Sequence, residues 1–388
     1  MIEMAAGNLW ARNVSYTVAA ADAERLEMVM LNSHAERCDV GEPREPRKSM
    51  RWKTYAVAIF LVAAAAGATL VSRHAPGGAA AREAYSRPAE IPHPDDNPYS
   101  AGKAALGRML FFDPLLSGSQ VRSCGTCHQP HLSWGDGRPR AIGEGEKPLA
   151  LRSPTLLMVA WTPRLGWDGK FRDLESVAFA PITSPTNMNL MEAALTERLS
   201  AIPGYVEAFA AAFGPASINR RNIELALATF QRTIVGGHAP FDRWVEGDET
   251  AISAAAKRGF GIFNNKGRCA TCHKGFAFTD SSFHDIGSAK DTDIGRGRLF
   301  PTSVKLRYAF KTPTLRDVTR RAPYMHDGSI NTLEEVIDLY DRGGIERPSR
   351  SVLIRPLGLT DHERSDLIAF LHTLSAPAEI IAMPSLPR

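Results

Sequence analysis

Most compositional signals that would place a chain in a special class are missing here. Aromatic residues make up only 8% of the 388 positions, and charged residues 23%, with 46 basic groups set against 42 acidic ones. Runs of like charge never exceed a few residues, so neither a nucleic-acid-binding face nor an acidic tail is indicated. Alternation of apolar and polar residues with period two is almost absent, which argues against a core built on sheets. Glycine and proline, 31 and 26 residues, stay ordinary, and 44% hydrophobic content excludes a disordered or collagen-like chain. Cysteine is scarce, and its placement is informative. Four of the five form two CxxCH pentapeptides, Cys124-Gly-Thr-Cys-His128 and Cys269-Ala-Thr-Cys-His273, and Cys38 stands alone. That is no disulfide framework.

Long apolar runs are equally rare. The one candidate, residues 55–71, is 17 residues without a charge, preceded by Arg47, Lys48, Arg51 and Lys53 and followed by Arg73. It is at the short limit for a bilayer span and reads as a signal peptide or signal anchor within 50–80, with the basic side kept in the cytoplasm. Read from Met50, the chain has the short basic start of an export signal, which leaves 1–49 as an overextended start or a disordered extension. Residues 81–97, within a stretch rich in Ala, Gly and Pro, are expected to form a linker.

Beyond 97 the chain repeats loosely. Segments 102–137 and 255–280 share a Gly-hydrophobic helix pattern, a loop of small residues, CxxCH, an aromatic and an Asp, and the two histidines stand 145 residues apart. Duplication is the economical reading. The chemistry of CxxCH is covalent haem attachment: two thiols add to the vinyl groups and the adjacent His faces the iron. Two such pentapeptides by chance are on the order of a one-in-a-million event at this composition. A zinc ribbon would need its CxxC pairs roughly 15 to 20 residues apart. The cofactors are therefore two covalently bound haem c, on Cys124, Cys127 and His128 and on Cys269, Cys272 and His273, and haem c is attached outside the cytoplasm. Periodicity predicts helices over 103–112, 190–201, 204–213, 221–235, 251–263, 332–342 and 361–374. Thr332 with Glu335 forms a capping box, and Thr360 precedes Asp361 and Glu363. The expected fold is mainly α, two cytochrome c-like haem domains at 98–240 and 241–380 packed across an interface.

Segments 151–185 (LRSPTLLMVAWTPRLGWDGKFRDLESVAFAPITSP) and 310–344 (FKTPTLRDVTRRAPYMHDGSINTLEEVIDLYDRGG), taken with both CxxCH units, resemble the bacterial dihaem cytochrome c peroxidases and their relative MauG. The resemblance covers about 98–375. It implies a periplasmic protein with one haem open to peroxide, a second six-coordinate haem, a tryptophan between them and a calcium ion at the domain interface. The tryptophan matches Trp167, while Trp134 and Trp161 read as packing residues. The second haem's axial ligand, Met in the peroxidases and Tyr in MauG, falls on Tyr340, 17 residues after Pro323. Met325 is a competing ligand by element type, and His326 and Asp327 match residues near the second haem. Carbonyls of Arg321 and Pro323 match calcium ligands, but the family's Asn falls on Met158 or a neighbour, none of which is a hard oxygen donor.

Departures from the family pattern lie on the peroxide side. Pro181 is retained, but the family's Gln and its distal Glu, the acid and base for peroxide cleavage, are Val177 and Asn187 here. An amide does not titrate near neutrality, and losing a positioned acid/base typically costs about 10²- to 10⁴-fold. A water held by Asn187, or Glu192 or His131, is a candidate substitute. His131 sits too close to the proximal side to be a good sixth ligand, and Met188 is the more plausible distal neighbour.

The implied function is an exported oxidoreductase using hydrogen peroxide and passing oxidising equivalents between two haems to a small redox protein or to a residue of a secreted substrate protein, with MauG-like modification of a partner favoured by Tyr340. The alternative is a dihaem electron-transfer protein without peroxidase activity. The protein is expected in the periplasm, soluble after signal cleavage or anchored to the inner membrane through 55–71.

Overall fold

The computed structural model describes residues 79–378 and 381–388. The extension 1–49 with Cys38, the apolar run 55–71 and all but the last two residues of 50–80 lie outside the described residues. Among the described residues no helix is long and apolar enough to cross a membrane.

The described chain is mainly helical. In order, its α-helices are α1 (Ala79–Glu83), α2 (Ala101–Phe112), α3 (Cys124–Cys127), α4 (Leu174–Ala178), α5 (Ala180–Thr183), α6 (Glu192–Ser200), α7 (Pro203–Phe213), α8 (Arg220–Arg232), α9 (Pro240–Val245), α10 (Ala254–Asn264), α11 (Leu333–Arg342) and α12 (Asp361–His372). Each of the seven helices predicted from periodicity is present within a few residues, and local chemistry sets the ends. Ser100 accepts the Lys103 N–H at the start of α2, a cap worth about 1 kcal/mol. Thr332–Glu335 and Thr360–Glu363 form capping boxes at α11 and α12, and Gly343 at φ 80° ends α11. The short α3, α4, α5 and α9 escaped the periodicity because one or two turns cannot display it. Among the described residues the one two-stranded ladder is β1 (Phe283–His284) against β2 (Phe310–Lys311), antiparallel, and the other extended pairing is in isolated bridges.

The helices form two buried cores. One gathers Leu106, Leu110, Phe111, Leu195, Tyr205, Phe209, Leu227 and Phe230, the other Phe241, Trp244, Phe260, Phe263, Phe278, Leu367 and Phe370. Each core rests on the same helix crossing. In α2, a Cβ on Gly107 would lie 1.9 Å from the Ala226 carbonyl oxygen of α8, and in α10 a Cβ on Gly259 would lie 2.0 Å from the Asp366 carbonyl oxygen of α12. Glycine is required at both because the backbones touch.

The duplication extends to a second set of segments. Arg152-Ser-Pro-Thr-Leu and Lys311-Thr-Pro-Thr-Leu, and Trp167-Asp-Gly and His326-Asp-Gly, recur at a constant offset of 159 residues. Each WDG or HDG triplet lies in a tight loop closed by a bridge, Leu165 with Phe171 and Tyr324 with Ile330. Thr155 and Thr314 donate their hydroxyls to the carbonyls of Ser133 and Ala277, both at 2.6 Å. Between the halves the loops exchange contacts crosswise: Lys311 N–H donates to the Trp167 carbonyl at 2.8 Å and Arg152 N–H to the His326 carbonyl at 3.1 Å. This is a two-fold-like, self-complementary interface within one chain.

Two segments cross between the cores. Residues 81–97, expected to be a linker, are packed instead: the Tyr85 ring is only 4% exposed among Phe241, Phe260 and Phe278. Arg87 donates to the carbonyls of Val235 and Gly237, and Asn97 to Glu175 at 2.7 Å. At the other end the C-terminal residues return to the first core, where Ile381 packs, Arg108 donates to the Ala382 carbonyl and Arg388 approaches Asp113 at 3.8 Å.

Gly107→Ala is expected to destabilise the protein by about 2 kcal/mol or more through overpacking. Gly102→Ala, whose Cβ meets nothing closer than 3.6 Å, is expected to be neutral or stabilising through helix propensity. Urea unfolding of the two variants checks the difference.

Candidate dihaem active site

A continuous cavity of about 700 Å³ is lined by both CxxCH units. Its walls come from the two halves in matching order. Cys124, Cys127 and His128 face it from the first, with Arg152 to Leu157, Trp167, Val177, Pro181, Asn187 and Met188; Cys269, Cys272 and His273 face it from the second, with Lys311 to Leu315, Arg321, Met325, His326, Ile337 and Tyr340.

Both histidines are held the same way. His128 Nδ1 lies 3.1 Å from the Trp134 carbonyl and His273 Nδ1 3.0 Å from the Phe278 carbonyl. A ring nitrogen that donates to a carbonyl leaves Nε2 as the free lone pair, which is the tautomer an iron needs. Burial pushes both imidazoles towards the neutral form, His273 down to about 4, so neither competes for a proton at neutral pH. All four cysteines are free thiols, and burial raises Cys124 and Cys269 to about 12, neutral thiols of the kind that add to a vinyl group. An apolar cavity of this size, two bare Nε2 atoms and four thiols at its walls fit two haem c groups. Arg152 and Arg321, each with a buried Nε that has no protein partner, belong to the same wall and give it positive charge.

At the second CxxCH, Tyr340 projects from α11 into the cavity. Burial and the neighbouring Cys272 and Cys269 push its phenol well above the ordinary range, so it ionises only against a compensating cation. Met325, the competitor, also lines the cavity, from a residue at φ 69°. His326 is a packed residue, 3% exposed, with its ring stacked on Phe310 at 3.7 Å and Nε2 2.9 Å from Asp293. Asp327 closes its turn by accepting the Ser329 N–H.

Trp167 stands where the halves meet. Its indole N–H donates to the Arg152 carbonyl at 3.0 Å, its carbonyl accepts from Lys311, and its ring centre is 6.5 Å from that of His326. Trp134 and Trp161 are packed, against Phe111 and Phe276.

The family's Gln and Glu positions bring Val177 and Asn187 to the cavity wall beside Pro181, and among the described residues the one carboxylate in the lining is that of Asp168 in the Trp-Asp-Gly loop. Glu175 is two residues from Val177, but Arg232 holds it in a two-pronged pair at 2.7 and 2.9 Å. Burial raises its carboxyl, yet the bonds from Arg232 and Asn97 outweigh that and hold it below the ordinary value. The substitutes considered from sequence are elsewhere: His131 is exposed, and Glu192 pairs with Arg220 at 3.3 Å. Polar neighbours in the wall are the hydroxyls of Ser184 and Thr186, 3.2 Å apart.

The calcium expectation is not met by the residues present. The Arg321 and Pro323 carbonyls both accept from the Arg152 guanidinium, the former at 2.9 Å. Met158 is buried and brings no oxygen. Among the described residues the one cluster of three metal-binding side chains is Cys272, Asp280 and His284, whose cysteine belongs to the second CxxCH unit. There the bond that the His284 Nε2–H donates to Asp280 at 2.9 Å, with the neighbouring Cys272, raises His284 to about 9. Sequence reading missed Arg152, Lys311 and His284. For the first two the offset-159 repeat was the available signal.

Family models match in two blocks, di-haem cytochrome c peroxidase over residues 101–250 and cytochrome c over 256–375. The chain is 51% identical over 311 residues to the methylamine utilization protein MauG of Methylorubrum extorquens, covering 80% of this chain and 88% of that protein. It is 32% identical over 294 residues to the cytochrome c551 peroxidase of Nitrosomonas europaea, covering 75% and 85%. Among solved structures it resembles a MauG-like protein associated with microbial copper homeostasis, with TM-score 0.70, 30% identity, 75% of this chain and 95% of that one covered.

With both cysteines of one unit replaced, Cys124→Ala with Cys127→Ala, the haem content is expected to fall from two per chain to one. A pyridine haemochrome assay against protein mass reads it directly.

Proposed function

The chain belongs to the di-haem cytochrome c peroxidase and MauG family and is a peroxidase-type dihaem oxidoreductase; from that premise we propose that it oxidises a residue of a partner protein rather than clearing peroxide with a small cytochrome. The observation that carries the reading is Tyr340, a half-buried residue whose phenol shares the cavity wall with Cys269, Cys272 and His273, where a thioether would suit rapid cytochrome turnover. Tyr340 and His273, which both line this end of the cavity, would hold the second haem's iron. A phenolate is a hard anionic donor that favours the ferric state and lowers the reduction potential.

When bound, the two haems supply the reduction of hydrogen peroxide to two waters, with two electrons drawn from the partner and two protons from solvent. His128 fixes the proximal side of the peroxide-binding end. Pro181 and Val177 close the opposite wall with apolar surface, and Asn187 offers an amide that orients an oxygen ligand by hydrogen bonds but carries no proton. Protons therefore arrive by water, with the Ser184 and Thr186 hydroxyls as the polar neighbours. With no titrating group supplied by Asn187, proton delivery at this end would be slow, which suits an enzyme that acts once on a docked partner. Trp167, tied to both halves, carries oxidising equivalents between the two ends of the cavity. Covalent haem attachment supports a periplasmic location.

Tyr340→Phe is expected to change the ligand-field bands of the second haem while both haems stay attached; an unchanged spectrum removes Tyr340 as the ligand. Asn187→Glu is expected to speed the reaction with peroxide by about 10²-fold or more, the usual worth of a positioned acid/base. Brisk peroxide-dependent oxidation of reduced cytochrome c by the unmodified protein would contradict the partner-modifying role.

A further inference from the structure

The place where the resemblance puts a calcium ion is filled by the chain itself. We infer that Arg152 and Lys311 are a pair of chain-borne cations that stand in for an interfacial metal ion and set the position of Trp167. The two residues are equivalents in the duplication, 159 positions apart, as are Pro323 and Arg164. Each cation reaches the matching carbonyl of the opposite half: the Arg152 guanidinium donates to Pro323, and the Lys311 ammonium donates to Arg164 at 2.9 Å. Arg152 adds a second carbonyl, Arg321 at 2.9 Å, which a planar fork can do and a point charge such as Lys cannot do as well.

A divalent ion has no room for its chemistry here. Ca²⁺ needs six to eight oxygens, and the two carbonyls that could contribute are already accepting. The Arg321 guanidinium is buried beside that of Arg152 and donates to the Thr314 carbonyl, so an added ion would meet two fixed positive charges at short range. The balancing anion on the Arg152 side is Asp136, 6% exposed, which accepts the Ser153 hydroxyl at 3.2 Å. On the Lys311 side it is Asp168.

The main chain of the same two residues holds the tryptophan. The Arg152 carbonyl accepts the Trp167 indole N–H, and Lys311 N–H donates to the Trp167 carbonyl. Arg152 is thus a positioning residue: its side chain fixes the 321–323 segment, its N–H fixes His326, and its carbonyl fixes the ring of Trp167. The consequence for electron transfer rests on the relay reading of Trp167; the consequence for metal content does not.

The test uses the dihaem holoprotein, equilibrated with millimolar CaCl₂, desalted and analysed for metals. Less than about one tenth of a calcium per chain, and haem spectra unmoved by a chelator, are expected; one calcium per chain whose removal shifts those spectra would overturn the proposal. In parallel, one-electron-reduced protein is followed after flash photolysis of bound CO. Arg152→Ala, still holding two haems with unchanged ligand bands, is expected to slow inter-haem relaxation by roughly tenfold to hundredfold, the scale on which a small misplacement acts. Arg152→Lys should recover part of the rate. An Arg152→Ala protein that relaxes at the parental rate would overturn the positioning role. Absence of relaxation in the parent protein would instead remove the relay reading, leaving the metal result to decide the rest.

Discussion

Two backbone hydrogen bonds, exchanged crosswise between equivalent places in the two halves, are the constraint on which the rest of the site depends. Lys311 N–H to the Trp167 carbonyl and Arg152 N–H to the His326 carbonyl lock each tight loop against the other half's Pro-Thr-Leu segment. Because those segments follow their CxxCH units in both halves, locking one against the other also sets one haem pocket against the next. The outcome is one shared cavity. Trp167 lies at the crossing as a result of this pairing, with its ring direction fixed by a third bond to Arg152. Backbone bonds of this kind cannot be lost by side-chain exchange, which lets the residues around them diverge.

That divergence is visible in what the two halves do with equivalent positions. Trp167 in one loop corresponds to His326 in the other; the first has its indole bonded only to a carbonyl, the second is pinned between Phe310 and Asp293. The first half lines the cavity with Pro181, Val177 and the amide of Asn187, while the second presents the phenol of Tyr340. An evenly built frame thus carries an unevenly furnished pair of pockets. The buried arginines serve the frame: they bring positive charge to the seam where carbonyls converge and leave it without need of a bound cation.

How much of this could be read from the sequence depended on the range of the interaction. The CxxCH units are local and covalent in consequence, so four cysteines and two histidines were legible at once. The longer helices, two of them with caps at Thr332 and Thr360, were legible because period and cap are local. The segment 81–97 was misread because its Ala and Pro content hides a single anchoring ring, Tyr85, whose partners lie more than 150 residues on. Calcium was expected from resemblance, and what overturns that fit is a side chain 169 and 171 residues from the carbonyls it reaches. No window of sequence shows such a contact. Val177 and Asn187 were legible only as departures from a known pattern, and the structure adds that Glu175, His131 and Glu192 are all engaged or placed elsewhere.

The central claim is that the two haem pockets act as one redox unit joined at Trp167. The most direct measurement is titration of the diferric holoprotein with peroxide up to one equivalent, with the ferric electron paramagnetic resonance signals of both haems recorded at each step. A single unit loses both signals together, in parallel from the first addition. Loss of one haem's signal while the other stays at full intensity, or no loss at all, would contradict it.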